Sequence, residues 1–351
     1  MAIIKYKGVG ITGVAACVPK NISRNDSLGG LIPPEEVEKV INNIGIVEKR
    51  FVSEGTTPSD LCFEAANRLL DDMQIDRSTI DMVLFMSQSP DHKIPATSPL
   101  LQTRFGLSKT TACMDLSLAC SGYVYSLSTA FAFASQEGIN RVLVLDGETF
   151  SRIVSPKDKV NAPLYGDAGT ATLIEKGDFG TAQFTLYTDG SGQDAIKITA
   201  GGARCPATPQ SVVSQEREEG NFRTDHEVYM DGMEVFNFTL RVVPTSVKEA
   251  LTLSENTNDS IDHFIFHQAN KFMIDFFVKK LKINPEKVPI SLNTFGNVSS
   301  ATIPLTIASR MKNVLEGQNK KVLLSGFGAG LSWATAVLDL NNCHVSDLVE
   351  I

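Results

Sequence analysis

Short, continuous runs of apolar residues alternate along this chain with longer stretches whose apolar positions recur every three or four residues. Runs such as residues 81–87 and 321–325 are typical of strands buried on both faces. The stripe along residues 59–73 has the period of an α-helix. An alternation of strands and helices favours an α/β fold. The pattern predicts strands at 3–18, 81–87, 112–117, 141–146, 263–267, 288–292, 321–325 and 332–338, and helices at 33–44, 59–73, 98–105, 122–135, 235–251, 271–281 and 300–314.

The second half of the chain repeats the element order of the first. A buried strand at 141–146, followed by a turn at Gly147-Glu148, corresponds to the buried strand at 321–325, so we expect an internal duplication. Residues 189–227 are rich in Gly, Pro, Gln, Glu and Arg, which indicates a surface excursion. We therefore divide the chain into an N-terminal half with a nucleophilic cysteine (1–180), a connecting excursion (181–234) and a C-terminal half with a histidine and an asparagine (235–351).

The composition is that of an ordinary globular protein. The 351 residues are 42% hydrophobic and 21% charged. A net charge of −8 argues against a general surface for nucleic acids or anionic membranes, so we expect neither as a partner. No apolar run reaches the length of a membrane span. Six cysteines without a C-x-x-C pair favour a reducing compartment, and we expect a cytoplasmic protein.

Two motifs near the N-terminus and one pair of histidines give misleading signals. The glycines of residues 8–13 match a dinucleotide fingerprint, but Pro19 leaves no room for the helix that such a site needs. The residues before Cys17 resemble a lipoprotein cleavage box, but their apolar region is short and broken by glycines. His263 and His267 would lie roughly 13 Å apart on one strand, too far to share a metal ion. We therefore expect no dinucleotide site and no metal site.

Cys120 lies where a strand-like segment ends and a helix of small residues begins. The amides and the dipole at a helix N-terminus favour a thiolate, which is the nucleophilic form of cysteine. The neighbours Ala119, Ser121 and Gly122 are small enough to let a substrate carbonyl approach. On this segment alone, a buried core cysteine is an equally good interpretation.

Three further segments place polar groups after buried strands or in glycine-rich turns. His267 ends an apolar strand, where α/β sheets build sites, although a hydrogen-bonded core histidine fits the local pattern as well. Asn297 follows a glycine and precedes a helix, so a capping role is its alternative. The glycine loop 326–330 offers amides to an anion but lacks the Lys-Ser/Thr pair of a phosphate-binding loop.

Taken together and in this order, these segments resemble the ketoacyl-acyl-carrier-protein synthase III family of the thiolase superfamily. The resemblance spans almost the whole chain. It implies a five-layered α-β-α-β-α thiolase fold of two similar halves, usually a homodimer. The matching segments are Ala119-Cys120-Ser121-Gly122, Tyr165-Gly166-Asp167-Ala168-Gly169, His267-Gln268-Ala269-Asn270, Gly296-Asn297-Val298-Ser299-Ser300-Ala301 and residues 326–330 with Trp333.

The resemblance also implies a decarboxylative Claisen condensation and a role for each matched residue. Cys120 would be acylated by a donor thioester, and His267 and Asn297 would hydrogen-bond the enolate formed from a malonyl thioester. The amides of Cys120 and Ala329 would hold the tetrahedral oxyanion. No cofactor is implied, because the substrates are CoA or acyl-carrier-protein thioesters, and acyl carrier protein is the expected partner. The implied substrate-binding positions are Ile94, Lys159, Asn270, Phe327 and Gly328.

Departures from the family pattern are concentrated at positions that bind the donor. Lys39 and Asn43 occupy the places of a Trp and an Arg that clamp adenine, and Phe272 replaces an arginine used for carrier docking, although Lys271 is adjacent. Lys159 replaces a phosphate-binding arginine and loses its bidentate fork. Ile94 replaces a phenylalanine that caps the acyl pocket. We therefore expect a specialised relative that uses free acetyl-CoA weakly.

Three other functions compete with condensation. A thiolase-fold acyltransferase that moves an acyl group without decarboxylation would also use Cys120 but could tolerate loss of Asn297, which is present. A silent partner subunit would usually lack the cysteine. A Cys-His-Asn peptidase shares the residue types but not the motifs around them.

Overall fold

The computed structural model describes residues 2–28 and 30–351, except for the side chain of Glu219. The helices are α1 (Pro34–Ile44), α2 (Pro58–Asp72), α3 (Thr97–Arg104), α4 (Gly122–Ala134), α5 (Gly232–Leu253), α6 (Lys271–Leu281), α7 (Leu292–Phe295), α8 (Thr302–Arg310) and α9 (Lys312–Leu315). The strands are β1 (Ala2–Tyr6), β2 (Val9–Val18), β3 (Ile22–Arg24), β4 (Glu48–Arg50), β5 (Met82–Met86), β6 (Ala112–Leu116), β7 (Arg141–Thr149), β8 (Asp167–Lys176), β9 (Ala182–Thr188), β10 (Ile196–Lys197), β11 (Gln215–Glu216), β12 (Phe222–Arg223), β13 (Tyr229–Met230), β14 (His263–Phe266), β15 (Asn319–Gly328), β16 (Ser332–Asn341), β17 (His344–Val345) and β18 (Val349–Glu350).

Two large mixed sheets share one topology. The first sheet contains the order β2-β8-β7-β5-β6, and the second contains β9-β16-β15-β14. In both sheets the first two neighbouring pairs are antiparallel and the third is parallel, so β2, β8, β7 and β5 correspond to β9, β16, β15 and β14. This correspondence confirms the predicted duplication.

The helices form three layers around the two sheets. Helices α2 and α3 pack on the outer face of the first sheet, while α5 and α6 pack on the outer face of the second. Helices α4 and α8 lie between the sheets, where their apolar residues form the central core. The sequence of α4 is apolar on nearly all sides because the helix is covered on both faces. The arrangement is the predicted five-layered fold.

The two halves exchange strands at their ends. Strand β1 pairs with β9 of the second sheet, and β17 and β18 pair with β2 of the first sheet. The sheets therefore do not divide at residue 180. Strand β9 also lies inside the second sheet, so the predicted excursion begins after it, at Asp189, and carries the short strands β10 to β13.

Three local predictions are wrong, and two long strands were missed, besides several of two or three residues. Gly147 and Glu148 do not form a turn but continue β7, because β8 pairs with them. Residues 288–292 form no strand, since their apolar side chains pack beneath α6 instead of entering a sheet. The predicted helix 300–314 is divided into the 3₁₀ turn Ser299–Ala301, α8 and α9. Strands β8 and β9 follow no clear apolar period in the sequence and were not predicted.

Within residues 2–28 and 30–351, no helix has both the length and the apolar character that a bilayer crossing requires.

Close packing of α2 on the first sheet depends on Gly169 of β8. A Cβ atom at this position would lie 2.5 Å from the backbone carbonyl carbon of Leu61 in α2, and neither backbone can yield easily. We expect Gly169→Ala to lower the free energy of unfolding by about 1–3 kcal/mol, the usual range for overpacking a core. Gly202→Ala is the matched control, because that glycine is exposed with open space around it. Equal urea midpoints for the two variants would contradict this packing.

Candidate active site

Cys120 lies two residues before α4, at the N-terminal end of a helix between the two sheets. Its side chain is 7% exposed. Burial raises the pKa of its thiol to about 12, a hydrogen bond from Ser299 lowers it, and the acids Glu148 and Asp146 raise it. The resting group is therefore a thiol, and forming the nucleophilic thiolate requires stabilisation from neighbouring donors.

The end of β15 passes directly against this cysteine. A Cβ at Gly328 would lie 3.1 Å from Cys120 Sγ, and a Cβ at Gly326 would lie 2.9 Å from the Cys120 carbonyl oxygen. Only glycine permits this approach. Among the described residues, the amides of Cys120 and Ala329 donate to no other residue. The Cys120 amide also lies within hydrogen-bonding reach of its own thiol. The role of the two amides as oxyanion donors stays a prediction.

His267 follows β14 and is buried. Burial lowers the pKa of its imidazole to about 3, so the ring is neutral at physiological pH. Its Nδ1 atom is 2.7 Å from Thr302 Oγ1, and the ring of Phe327 packs edge-on against it with centroids 5.2 Å apart. The single hydroxyl proton of Thr302 can point to Nδ1 or to the Ser299 carbonyl, which lies 2.9 Å away. When it points to Nδ1, the imidazole proton lies on Nε2, where it can be given to a substrate oxygen.

Asn297 is oriented by backbone groups on both sides. Its side-chain oxygen accepts a hydrogen bond of 2.8 Å from the backbone amide of Ser299. Its backbone amide donates to the backbone carbonyl of Leu164. Because the oxygen is occupied, the NH₂ group is the part of the side chain left to meet a ligand. The bond to the first amide of the turn Ser299–Ala301 agrees with the capping alternative, and the same bond holds the NH₂ group in place as a donor.

Cys120, His267 and Asn297 share a cavity of about 500 Å³, which lies within the usual range for ligand pockets. Its mouth is formed by the end of α1 and the beginnings of α5 and α6. Met233 and Phe272 at this mouth are 69% and 56% exposed. The described lining contains no Lys, Arg, Asp or Glu. The remaining lining residues are Asn43, Ile44, Val160, Leu164, Tyr165, Ile196, Met230, Gly232, Met233, Val235, Phe236, Thr239, Ala269, Asn270, Phe272, Met273, Phe327 and Gly328.

A second cavity of about 70 Å³ lies on another side of Cys120. Phe150 and Tyr165 stack at 4.7 Å along it, and Ser299 and Ala329 also border it. Cys120, Tyr165 and Ile196 line both cavities. The nucleophile therefore stands between a large opening and a small apolar compartment.

Two of the predicted substrate contacts lie elsewhere. Ile94 lies on the loop before α3, where it is 89% exposed to solvent, and it lines neither cavity. Lys159 is exposed and also outside both linings, although its neighbour Val160 is part of the first. Asn270, Phe327 and Gly328 do line the first cavity. Their roles in binding stay predictions.

Sequence reasoning missed two buried carboxyl groups on β7 and the residues around them. Glu148 accepts hydrogen bonds from residues 87–89, and burial raises its pKa to about 7. Asp146 accepts 2.6 Å from the Ser300 hydroxyl, and burial raises its pKa well above the usual range. Both acids lie in a strand whose other residues are mostly apolar, so nothing in the sequence singled them out. They matter because they lie close to Cys120 in the fold.

Among the described residues, no group of three or more His, Cys, Asp or Glu side chains could hold a metal ion.

Comparison with known proteins places this arrangement in one class. The chain matches the family models "3-Oxoacyl-[acyl-carrier-protein (ACP)] synthase III" over residues 114–190 and "3-Oxoacyl-[acyl-carrier-protein (ACP)] synthase III C terminal" over residues 251–340. Such matches, together with the two duplicated sheets, define a thiolase-fold acyltransferase.

Individual relatives agree over nearly the full length. The chain is 35% identical to a beta-ketoacyl-[acyl-carrier-protein] synthase III of Rhodopirellula baltica, covering 94% of this chain and 98% of that protein. It is 34% identical to a putative 3-oxoacyl-[acyl-carrier-protein] synthase 3 of Campylobacter jejuni over 97% and 96%. A crystal structure of a 3-oxoacyl-(acyl-carrier protein) synthase from Burkholderia xenovorans superposes with a TM-score of 0.93 at 34% identity, over 100% of this chain and 99% of that one. The chain belongs to the 3-oxoacyl-[acyl-carrier-protein] synthase III family.

Proposed function

We propose that this protein condenses an acyl thioester with a malonyl thioester by decarboxylation, in fatty acid or specialised lipid synthesis. The observation that carries the proposal is the position of Cys120, between two cavities and beside two kinds of hydrogen-bond donor. Cys120 and Ala329, whose amides donate to no other described residue, line the smaller cavity, and the side chains of His267 and Asn297 share the larger cavity with the thiol.

The first step is acylation. Cys120 Sγ bonds to the donor's carbonyl carbon, the carbonyl–sulfur bond of the donor breaks, and the departing thiolate takes the proton that Cys120 releases. The amides of Cys120 and Ala329 stabilise the negative oxygen in the tetrahedral intermediate. The acyl group then rests in the smaller cavity beside Phe150 and Tyr165.

The second step uses the larger cavity. A malonyl thioester loses carbon dioxide, and the electron pair of the broken carbon–carbon bond forms an enolate. Hydrogen bonds from His267 Nε2 and the Asn297 NH₂ group stabilise the enolate oxygen. The enolate carbon attacks the acyl-Cys120 carbonyl, and the carbon–sulfur bond breaks to return the thiolate. Since no described residue that lines this cavity is Lys, Arg, Asp or Glu, the malonyl carboxylate gains no ion pair there that would oppose its loss.

Acyl transfer without decarboxylation is the alternative reaction. The structure gives it no specific support, since an amine or alcohol acceptor would need a general base, and neutral His267 has its Nδ1 beside a hydroxyl in an otherwise uncharged cavity. Release of carbon dioxide from a malonyl thioester separates the two reactions directly.

A homodimer would give Ile94 a role that its own chain does not. This isoleucine is exposed close to the edge strand β6, whose outer side has no neighbour among the described strands. Pairing of two β6 edges would extend the first sheet across the dimer and bring each Ile94 toward the other subunit.

Six free cysteines fit the reducing cytoplasm that we propose as the location of the protein.

We expect Cys120→Ala to abolish the acyl-enzyme, because this thiol lies at the N-terminal end of α4 and borders both cavities. Cys113→Ala is the matched control, since Cys113 lies in β6 and lines neither cavity. Intact-protein mass spectrometry after incubation with acyl thioesters measures the added mass. A normal mass shift in the Cys120 variant would refute the proposed nucleophile.

We expect His267→Ala and Asn297→Ala each to slow decarboxylation of a malonyl thioester by about 10²-fold or more, the usual effect of removing one oxyanion donor. Acylation of Cys120 should suffer less, because neither side chain holds the acyl oxyanion. Release of labelled carbon dioxide and mass spectrometry of the acyl-enzyme measure the two steps separately. Decarboxylation at the wild-type rate in both variants would exclude the enolate role.

We also propose an acyl-carrier-protein donor in preference to free CoA. The mouth of the larger cavity presents exposed Met233 and Phe272, and Lys271 beside them is paired with Asp275. Such a rim suits an apolar contact with a carrier surface better than the phosphates of CoA. The kcat/KM for one acyl group should therefore be higher on carrier protein than on CoA.

Phe272→Ala provides the matched test, because it should reduce use of the carrier-bound donor more than use of the CoA donor. A clear preference of the wild-type enzyme for CoA would overturn this choice of donor and leave the condensation itself untouched.

A further inference from the structure

Ser299 occupies the centre of the site without a role in the chemistry described so far. Its hydroxyl oxygen lies 3.5 Å from Cys120 Sγ, a hydrogen-bond distance for sulfur, and both residues are buried. Its amide donates to Asn297, and its carbonyl oxygen lies 2.9 Å from the Thr302 hydroxyl oxygen, which also contacts His267. One residue thus touches the nucleophile and orients both other predicted catalytic side chains.

The hydroxyl of Ser299 is committed to the cysteine. Within the described part of the chain, Cys120 Sγ is its one hydrogen-bond partner. A buried hydroxyl without an acceptor is unfavourable, so its proton has reason to point at sulfur. While Cys120 is a thiol, either group could donate. Once it is a thiolate, only the serine can.

Among the described residues that line the two cavities beside Cys120, one carries a positive charge, Lys197 at the smaller cavity, and it is paired with Asp194. His267 is neutral because burial lowers its pKa to about 3. The described lining of the larger cavity contains no Lys or Arg, and the groups that face the thiol from β7, Glu148 and Asp146, are acids. The remaining stabilisers are the N-terminus of α4, the Cys120 amide and the Ser299 hydroxyl.

The backbone of Ser299 is in a strained conformation. Its φ is +48°, in the left-handed region that residues other than glycine rarely adopt. Glycine would fit this backbone more easily, yet it would lack the hydroxyl. Backbone requirements alone therefore do not explain a serine here.

We propose that Ser299 is a further catalytic residue, whose hydroxyl donates a hydrogen bond to the Cys120 thiolate and so favours the nucleophilic form. The inference rests on the proposed function in one respect, that Cys120 is the nucleophile of the reaction.

The test is the rate at which iodoacetamide alkylates Cys120 in the full-length protein, followed by peptide mass spectrometry between pH 7 and 9. Below the pKa of the thiol, this rate is proportional to the thiolate fraction. Ser299→Ala and Ser299→Gly both remove the hydroxyl, and the glycine variant also relieves the positive φ. We expect each to slow alkylation by about 10-fold or more at a given pH, the ordinary effect of losing a hydrogen bond to a charged group.

Two controls isolate the hydroxyl. Ser126→Ala removes a buried hydroxyl without a described partner from α4, and it should leave the rate at Cys120 unchanged. The exposed Cys205 should react equally in all variants. Wild-type alkylation rates in both Ser299 variants would overturn the proposal. Slow alkylation in the alanine variant with a normal rate in the glycine variant would overturn it too, because the effect would then come from the backbone.

The experiment also separates this inference from the proposed function. If wild-type Cys120 is alkylated but never acylated by any thioester donor, the condensation proposal fails, while the effect of Ser299 on the thiolate is still measured.

Discussion

The contact between the end of β15 and the start of α4 is the constraint on which the site depends. Gly326 and Gly328 let the backbone of the second half lie against the backbone and thiol of Cys120, which belongs to the first half. Any side chain at Gly328 would occupy the space around Sγ. Because the free amide of Ala329 follows directly, the same close approach that joins the two halves also supplies an oxyanion donor.

The second half contributes its other groups through one short turn. The 3₁₀ turn Ser299–Ala301 holds Asn297 by a backbone amide, reaches His267 through Thr302, and is tied to β7 by the bond from Ser300 to Asp146. Cys120 and its partners therefore come from different halves of the chain but are held together by this one turn. Duplication of the fold brings such an arrangement about, because each half supplies one central helix to the layer between the sheets.

Elements with a strong local period could be predicted from the sequence, and elements defined by tertiary contacts could not. The strands β5 and β15 and the helix α4 are apolar on nearly all sides, so they have to be buried on all sides. By contrast, the apolar residues of 288–292 pack beneath a helix, and nothing local distinguishes that from a strand. In the site, Cys120, His267 and Asn297 stood out through their motifs. By contrast, Thr302 and the acids on β7 owe their places to neighbours distant in the sequence, 35 residues away for Thr302 and His267 and 154 for Asp146 and Ser300. For Ile94 the prediction from the family motif did not hold within one chain. The residue aligns with a position that caps the acyl pocket, but its side chain is exposed and lies outside the pocket of its own chain.

The neutrality of His267 explains why the site suits decarboxylation better than a thiolate–imidazolium pair would. A charged imidazolium would stabilise the thiolate strongly, but it would also attract the malonyl carboxylate and stabilise the state before carbon dioxide leaves. A neutral ring held in an apolar surrounding can still donate one hydrogen bond to the enolate oxygen, where negative charge first develops. The site must then favour the thiolate by other means, through the helix N-terminus, the Cys120 amide and the Ser299 hydroxyl, each of which acts at sulfur without adding positive charge to the cavity. Dividing the two tasks in this way lets one buried pocket support both a nucleophile and the loss of a carboxylate.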